Sequence, residues 1–193
     1  MPEKLALDPA RTALVVIDLQ KGITAMQTAP HSSDAVVMRA AQLAESFRQA
    51  GAFVVLVHVG PSPDGKDALK PITDTTANWP SPPPGWDEIV PEMGPKPGDH
   101  VLRKRQWGAF YGTDLDLELR RRGIDTIVLC GISTNIGVES TARAAYEHGY
   151  QQIFVEDATA ARTAEEHQFT FEHTFPRIGR VRSTQDVLEA WNR

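Results

Sequence analysis

The segment TALVVI at residues 12–17 is the strongest indication of the fold of this chain. It is a continuous run of apolar and β-branched residues without the polar alternation of a half-exposed strand, and it ends at Asp18. Such a run is typical of a parallel strand that is covered on both faces. A strand of this kind predicts a sheet with helices on both sides, so the remaining chain must alternate strands with helices.

The rest of the sequence shows this alternation. Five further apolar runs predict strands at residues 53–57, 100–103, 126–130, 152–156 and 178–181. Segments of helical periodicity lie between them: Ser33 to Gly51, Thr113 to Gly123, and residues 134–148, 164–174 and 184–191. With right-handed crossovers, this order predicts one α/β domain over residues 1–193, a three-layer αβα sandwich around a six-stranded, mostly parallel sheet.

Residues 60–99 interrupt the alternation. They contain ten of the 14 prolines, which predicts a long irregular excursion. Long loops inside compact domains are often lids or binding loops, so this segment is a candidate cover for a site.

Composition narrows the possible functions. The net charge is -5, no basic stripe is interleaved with aromatic residues, and we therefore expect no nucleic-acid partner. No apolar run approaches the ~20 residues of a membrane span, and the first residues do not resemble a secretion signal. We expect a cytoplasmic protein without membrane contact. The single cysteine, Cys130, cannot form an internal disulfide, and its place in a strand predicts a buried, inert thiol.

Three positions that directly follow predicted strands carry the candidate chemistry. Asp18 follows the first strand, Lys104 follows the third, and the turn at residues 133–137 follows the fourth. Ligands of open α/β sheets bind beyond the carboxyl ends of the strands, so these positions are expected to converge. Asp18 and Lys104 could form an acid–base pair, or each could be an ordinary surface charge. The turn could offer helix N-terminal amides to an anion, or Ser133 or Thr134 could simply cap the helix.

Three segments carry a resemblance to a known family: ALVVIDLQ at residues 13–20, KRQWGAF at 104–110 and GISTNIGVESTAR at 131–143. The chain resembles the isochorismatase-like hydrolases of the cysteine hydrolase superfamily, especially the YecD-type members. This resemblance implies that Asp18 and Lys104 match the catalytic Asp and Lys of the family. The position of the catalytic Cys in that family is Gly137 in this sequence.

The resemblance and the departure at Gly137 together predict the chemistry. A glycine supplies no nucleophile, so Cys-dependent amidase chemistry is excluded at this position. Isochorismatases proper also lack the Cys, and they protonate a vinyl ether. We therefore expect a hydrolase of a small, carboxylate-bearing metabolite, with Asp18 as general acid, Lys104 holding it and Gly137 leaving space and amide donors. The alternative is a catalytically silent member that binds a small ligand or a protein partner.

Further expectations concern binding. The candidate substrate-binding residues are Gln20, Gln106, Trp107, Phe110, Tyr111, Ser133, Thr134 and Asn135, and the alternative for the aromatic ones is core packing. We expect no cofactor. We also expect no catalytic metal, because His58 with Asp64 and Asp67 does not match the Asp-x-His pattern of metal-dependent relatives. The resemblance further implies a homo-oligomer and a cis peptide bond between Ile132 and Ser133.

Overall fold

The computed structural model describes residues 4–74 and 82–191. Its strands are β1 (Thr12–Ile17), β2 (Phe53–Val59), β3 (His100–Lys104), β4 (Thr126–Ile132), β5 (Gln151–Ala160) and β6 (Arg180–Arg182). They form one six-stranded sheet in the order β3-β2-β1-β4-β5-β6. The predicted α/β architecture is confirmed, and every strand pair of this sheet is parallel.

Helices cover both faces of the sheet. They are α1 (Lys21–Thr24), α2 (Ser33–Ala50), α3 (Leu115–Arg121), α4 (Glu139–Glu147), α5 (Ala164–Phe169), α6 (Phe175–Ile178) and α7 (Thr184–Leu188). A π-helical turn, Thr134–Val138, precedes α4, and another, Thr170–Thr174, joins α5 to α6. Helices α2 and α7 pack on one face, and α3, α4 and α6 pack on the other.

Strand β1 shows why its sequence does not alternate. Leu14 and Val16 belong to the core beneath α2, whereas Val15 and Ile17 belong to the core beneath α3 and α4. All six residues of β1 are buried. The continuous apolar run is therefore the consequence of two hydrophobic cores that share one central strand.

Several boundaries differ from the sequence-based predictions: the last strand, predicted at 178–181, begins only at Arg180 because Ile178 belongs to α6, and β3 includes Lys104. Ser32 rather than Ser33 caps α2, because the Ser32 hydroxyl accepts a hydrogen bond from the amide of Ala35 while the Ser33 hydroxyl donates to the carbonyl of Met26. Helix α7 ends at Leu188, short of Trp191. Strand β5 continues to Ala160, beyond its predicted end at residue 156. It contains a large bulge: Leu129 of β4 pairs with Phe154, whereas Gly131, two residues later, pairs with Thr159.

The excursion between β2 and β3 contains no helix or strand in its described residues, 60–74 and 82–99. Part of it is bound to the end of β1, since the carbonyl of Glu88 accepts from the amide of Lys21, and the amide of Val90 donates to the carbonyl of Leu19. Val90 and Met93 are buried in the core beneath α2. Residues 75–81 lie outside the described part, so the expected lid stays a prediction.

Within the described residues, no helix combines the length and the apolar character that crossing a membrane requires.

Candidate active site

The site lies where the strand order reverses. Strands β2 and β4 flank β1, so the chain leaves β1 and β4 towards opposite faces and opens a crevice beyond their carboxyl ends. Gly131 brings the two strands close together there: a Cβ at this position would lie 2.1 Å from the carbonyl oxygen of Ile17. Its φ of 118° is also in the region that favours glycine.

Asp18 occupies the first position beyond β1. Its backbone has a φ of 54°, a left-handed conformation that Asp tolerates better than most residues. The amide of Asp18 donates to the carbonyl of Val57, 2.9 Å away, which fixes the end of β1 against β2. The side chain is buried, with only 7% of its surface exposed.

Lys104 reaches Asp18 from β3, on the far side of β2. Its Nζ donates to Asp18 Oδ2 at 2.8 Å and to the carbonyl of Trp107 at 2.6 Å. The Lys104 side chain is 1% exposed. Since one strand separates β1 from β3, only a long side chain can bridge the distance. The predicted convergence of these two charges is confirmed by this contact.

Burial and the ion pair act on Asp18 in opposite directions. Desolvation is the larger effect and raises the pKa of Asp18 from 3.8 to about 6, while the ammonium of Lys104 lowers it. Asp18 Oδ1 is buried and has no hydrogen-bond partner among the described residues. A carboxyl in this environment can hold a proton on Oδ1 near neutral pH while Oδ2 remains bound to Lys104.

Gly137 lies against this pair. A Cβ on Gly137 would lie 3.0 Å from Asp18 Oδ2, 3.3 Å from Lys104 Nζ and 2.9 Å from Ile17 Cγ2. The third predicted site residue is therefore in the same place as the other two. The backbone approaches the carboxylate so closely that even one methyl group would force a neighbour to move.

Thr141 connects the two chain segments that carry the site, and the sequence analysis missed it. Its hydroxyl donates to the carbonyl of Gly137 at 2.7 Å and accepts from the amide of Ala109 at 3.1 Å. A Thr four residues after a glycine in a helix can bond back to that carbonyl, and this spacing is the sequence signal.

The turn after β4 contains the remaining predicted polar residues. The peptide bond between Ile132 and Ser133 is cis, which confirms that prediction. The Ser133 hydroxyl donates to Asn135 Oδ1 at 3.2 Å, and Thr134 is completely buried, with its hydroxyl 2.8 Å from His167 Nδ1. The carbonyl of Ser133 accepts from the amides of Ile136 and Val138.

Comparison with known proteins adds to this geometry. The isochorismatase domain model matches residues 12–186. The chain belongs to the isochorismatase family.

Relatives of this family align with nearly the whole chain. The chain is 54% identical to YwoC of Bacillus subtilis, over 98% of each chain, and 53% identical to YecD of Escherichia coli O157:H7, over 96% of this chain and 99% of that one. It is 34% identical to the ureidoacrylate amidohydrolase RutB of Methylorubrum extorquens, over 82% of this chain and 73% of that one. An isochorismatase family protein from Burkholderia thailandensis superposes with a TM-score of 0.92 and 46% identity, over 97% and 98% of the two chains.

Gln20 and Gln106, both candidate substrate ligands, bind this chain's own backbone. Gln20 is fully buried, its Oε1 accepts from the amide of Val59 at 2.7 Å, and its Nε2 donates to the carbonyl of the same residue at 2.9 Å. Gln106 Nε2 donates to the carbonyls of Gly108 and Tyr111. Both side-chain amides therefore hold backbone segments of this chain in place.

The aromatic candidates differ in exposure. Phe110 is buried and stacks on His148, with ring centroids 5.1 Å apart, as the core-packing alternative predicts. Trp107 is 64% exposed and Tyr111 is 83% exposed, so only these two aromatic side chains of the segment are open to a ligand.

The other titratable candidates are placed as follows. His58 Nδ1 lies 2.8 Å from the carbonyl of Asp87, and Asp67 forms an ion pair with Arg105. His58 and Asp67 therefore have different partners. Asp64 accepts from the hydroxyl of Ser62. Cys130 is completely buried, which confirms its expected environment, and burial raises the pKa of its thiol to about 12.

One cluster of potential metal ligands has no counterpart in the sequence analysis. His31, Glu156 and His167 come from a loop, a strand and a helix, and their ligand atoms all lie within 4.8 Å of one another. His31 is 125 residues away from Glu156, His167 is 11 residues beyond Glu156, and the three form no recognised motif, so no sequence pattern predicts the cluster.

Proposed function

We propose that this protein is a hydrolase of a small, carboxylate-bearing metabolite that works by acid–base chemistry between Asp18 and Lys104, without a thiol nucleophile. One observation carries the proposal: Lys104 Nζ holds one oxygen of a buried carboxyl at 2.8 Å while the other oxygen has no partner among the described residues. That unpartnered oxygen is the position from which a proton can be donated to a substrate.

The protonation state of Asp18 fits a general acid. With a pKa of about 6, Asp18 is half protonated at pH 6 and about a tenth protonated at pH 7. A substrate carboxylate bound nearby raises this pKa further, because like charges disfavour ionisation. Lys104 orients the carboxyl through Oδ2 in this scheme.

The reaction of an enol ether can be written with these groups alone. Asp18 donates its proton to the carbon–carbon double bond, and the substrate becomes an oxocarbenium ion. Water adds to the cation, and the resulting hemiketal separates into a carbonyl compound and an alcohol. The proton released by the water restores Asp18, so the net change is the consumption of one water molecule.

The turn after β4 supports the choice of an anionic substrate. Its first amides, at Thr134 and Asn135, begin a helical segment that continues through α4 to Glu147, and such amides favour an anion. The relative RutB is named for action on ureidoacrylate, a carboxylate. Both observations favour a substrate with a carboxylate beside the scissile bond.

The proposal of a mechanism without a thiol nucleophile is supported by the cysteine content of the whole sequence. Cys130 is the only cysteine of the chain, and its thiol is buried with a pKa of about 12. Gly137 lies where we place the catalytic Cys of the family, and a Cβ there would lie 2.9 Å from Ile17 Cγ2 and 3.0 Å from Asp18 Oδ2, so the space expected beside this glycine is already occupied. A covalent thioester route would need a thiolate that this chain does not offer there.

A turnover screen tests the proposal. The purified protein and its Asp18→Asn variant are incubated with panels of small vinyl ethers, amides and other hydrolysable acids, and products are quantified by mass spectrometry. Turnover that is confined to carboxylate-bearing compounds and absent from Asp18→Asn is the expected result. The same rate in both proteins would remove Asp18 from the mechanism.

The alternative function is that of a catalytically silent family member that binds a small ligand or a protein partner. It rests on the absence of a nucleophilic side chain at Gly137. It is tested in the same panels by following ligand-induced thermal shifts. Saturable binding of a compound by folded protein, with no turnover of any compound in the screen, would overturn the hydrolase proposal in favour of a binding protein.

A further inference from the structure

Three side chains from separate elements converge on the same side of β5. His31 lies in the loop between α1 and α2, Glu156 lies in β5, and His167 lies in α5. His31 Nε2 is 3.3 Å from Glu156 Oε1, and His167 Nε2 is 3.1 Å from the same oxygen. The two imidazole rings meet edge to face, with centroids 5.9 Å apart.

The backbone around the cluster fixes each of the three residues. Ala29 and Ala161 exchange a pair of 2.9 Å hydrogen bonds, which attach the loop before His31 to the chain just after β5. Glu156 belongs to the bulge of β5, and bulges commonly redirect a side chain out of the regular pleat. A capping box at Thr163 fixes the start of α5, and His167 follows in the next turn.

The separations of the ligand atoms suit a small transition-metal ion. Metal–nitrogen and metal–oxygen bonds of about 2.0–2.2 Å in a tetrahedral site place neighbouring ligand atoms roughly 3.3 Å apart. The distances from Glu156 Oε1 to the two histidine Nε2 atoms, 3.1 and 3.3 Å, lie close to that value. The ligand atoms of the two histidines lie within 4.8 Å of each other. Two imidazoles and one carboxylate select zinc-like divalent ions over magnesium or calcium, which prefer oxygen ligands.

The surroundings of His167 resemble those of a metal-bound imidazole. The residue is 3% exposed, and its Nδ1 lies 2.8 Å from the hydroxyl of Thr134, which leaves Nε2 directed at Glu156. A metal-ligating histidine usually donates its second ring N–H to an oxygen acceptor that fixes its tautomer and orientation. A hydroxyl can donate or accept, so the Thr134 hydroxyl can accept the Nδ1 proton when an ion occupies Nε2.

We propose that His31, Glu156 and His167 form a binding site for a zinc-like divalent transition-metal ion, with water as the fourth ligand. The site uses none of the residues of the Asp18–Lys104 pair, and it departs from the sequence-based expectation of a protein without metal. Its connection to the active site is structural. Because His167 contacts Thr134, an ion on His167 fixes the residue that begins the turn containing Gly137.

Metal titration of untagged protein tests the site. The full chain is treated with a chelator, dialysed, and titrated with Zn²⁺ by calorimetry and with Co²⁺ by visible absorption. The expected result is one ion per chain, a Co²⁺ spectrum of four-coordinate type, and a higher melting temperature with Zn²⁺, because an ion that binds only the native state stabilises it. No saturable binding of either ion would overturn the proposal.

Variants separate this site from binding elsewhere on the surface. Glu156→Gln keeps the shape of a half-exposed side chain and removes the ligand charge, and His31→Gln removes one imidazole from a loop, so both are expected to fold, as circular dichroism will verify. Each is expected to weaken Zn²⁺ binding at least about 100-fold, and Thr134→Val about 10–100-fold, as for loss of an outer-shell partner. His100→Gln, at a histidine paired with Asp114 instead, is the matched control and is expected to bind like the wild type. Wild-type affinity in Glu156→Gln and His31→Gln would overturn the proposal.

Discussion

Lys104 binds only one of the two oxygens of Asp18. Its Nζ lies 2.8 Å from Oδ2, whereas Oδ1 is buried without a hydrogen-bond partner among the described residues. An unpaired buried oxygen is costly when the carboxyl is ionised and much less so when it carries a proton. This asymmetry explains how the carboxyl of Asp18 can have an ion-pair partner and still have a pKa raised to about 6.

Asp18→Asn should abolish most of any turnover. The amide is nearly isosteric with the carboxyl but cannot donate an acidic proton, so kcat is expected to fall at least roughly 10²-fold. The measurement is steady-state kinetics on the best compound of the screen, with circular dichroism to verify the fold. A kcat within a factor of two or so of the wild type would contradict the role of Asp18 as general acid.

The same variant should reveal the raised pKa through stability. Between pH 4 and pH 6 the folded wild type holds a proton on Asp18 that the unfolded chain releases, because the pKa is about 6 when folded and 3.8 in the reference state. The stabilisation by Asp18 is complete below pH 4 and is lost as the pH rises to 6. Relative to Asp18→Asn, the wild type should therefore lose up to about 3 kcal/mol over this range.

Urea unfolding of both proteins from pH 4 to pH 8 measures this difference, and the other titrating groups cancel between them. A difference that stays constant with pH, or that grows in favour of the wild type, would show that burial does not dominate at Asp18.

Lys104→Met should destabilise the protein and raise the pKa of Asp18 further. It leaves a buried carboxyl without its partner, which typically costs about 3–5 kcal/mol, and it removes the charge that lowers the pKa of Asp18. Lys66→Met is the matched control, because the side chain of Lys66 is 85% exposed and its pair with Asp64 at the surface is expected to contribute little to stability. Equal melting temperatures of the two variants would contradict the prediction.

Gly137→Ala should disturb the active site through sterics alone. The new Cβ would lie 2.9 Å from Ile17 Cγ2 and 3.0 Å from Asp18 Oδ2, so buried groups must move, at a typical cost of about 1–3 kcal/mol. Gly108→Ala is the control, since a Cβ there would meet its nearest neighbour at an ordinary 3.5 Å. Denaturant unfolding compares the two, and an unaltered Gly137→Ala midpoint would mean that the crevice is wider than the structure shows.

Gly137→Cys tests whether a thiol at this position can act as a nucleophile. We expect no gain of amidase activity from this substitution, because the thiol cannot enter without displacing Asp18 or Ile17. Appearance of amide hydrolysis that an alkylating reagent abolishes would show that the position can still hold a working nucleophile.

Cys130 should resist modification in the native protein. Its thiol is completely buried, and burial raises its pKa to about 12, so almost no thiolate forms at neutral pH. Mass spectrometry after treatment with iodoacetamide should show labelling only in denaturant, with turnover unaffected in native buffer. Rapid native labelling with parallel loss of turnover would reopen the thiol mechanism.

Local sequence patterns were sufficient to predict the sheet and the two charged residues at the centre of the candidate site. The unbroken apolar run of β1 specified a strand between two cores, and the alternation of strands and helices left a doubly wound sheet as the simplest solution. Because parallel strands end at one edge, the positions of Asp18 just after β1 and of Lys104 at the end of β3 were enough to predict their meeting.

Periodicity and chain order were thus enough to predict the architecture and the pair of charges at the edge of the sheet. The folded structure was needed to show which oxygen of Asp18 is left unpaired, how closely Gly137 approaches it, and that Gln20 binds backbone rather than facing the crevice. It alone also brought together His31, Glu156 and His167. These features depend on contacts between segments far apart in sequence and on a bulge in β5, and no local pattern encodes such distances.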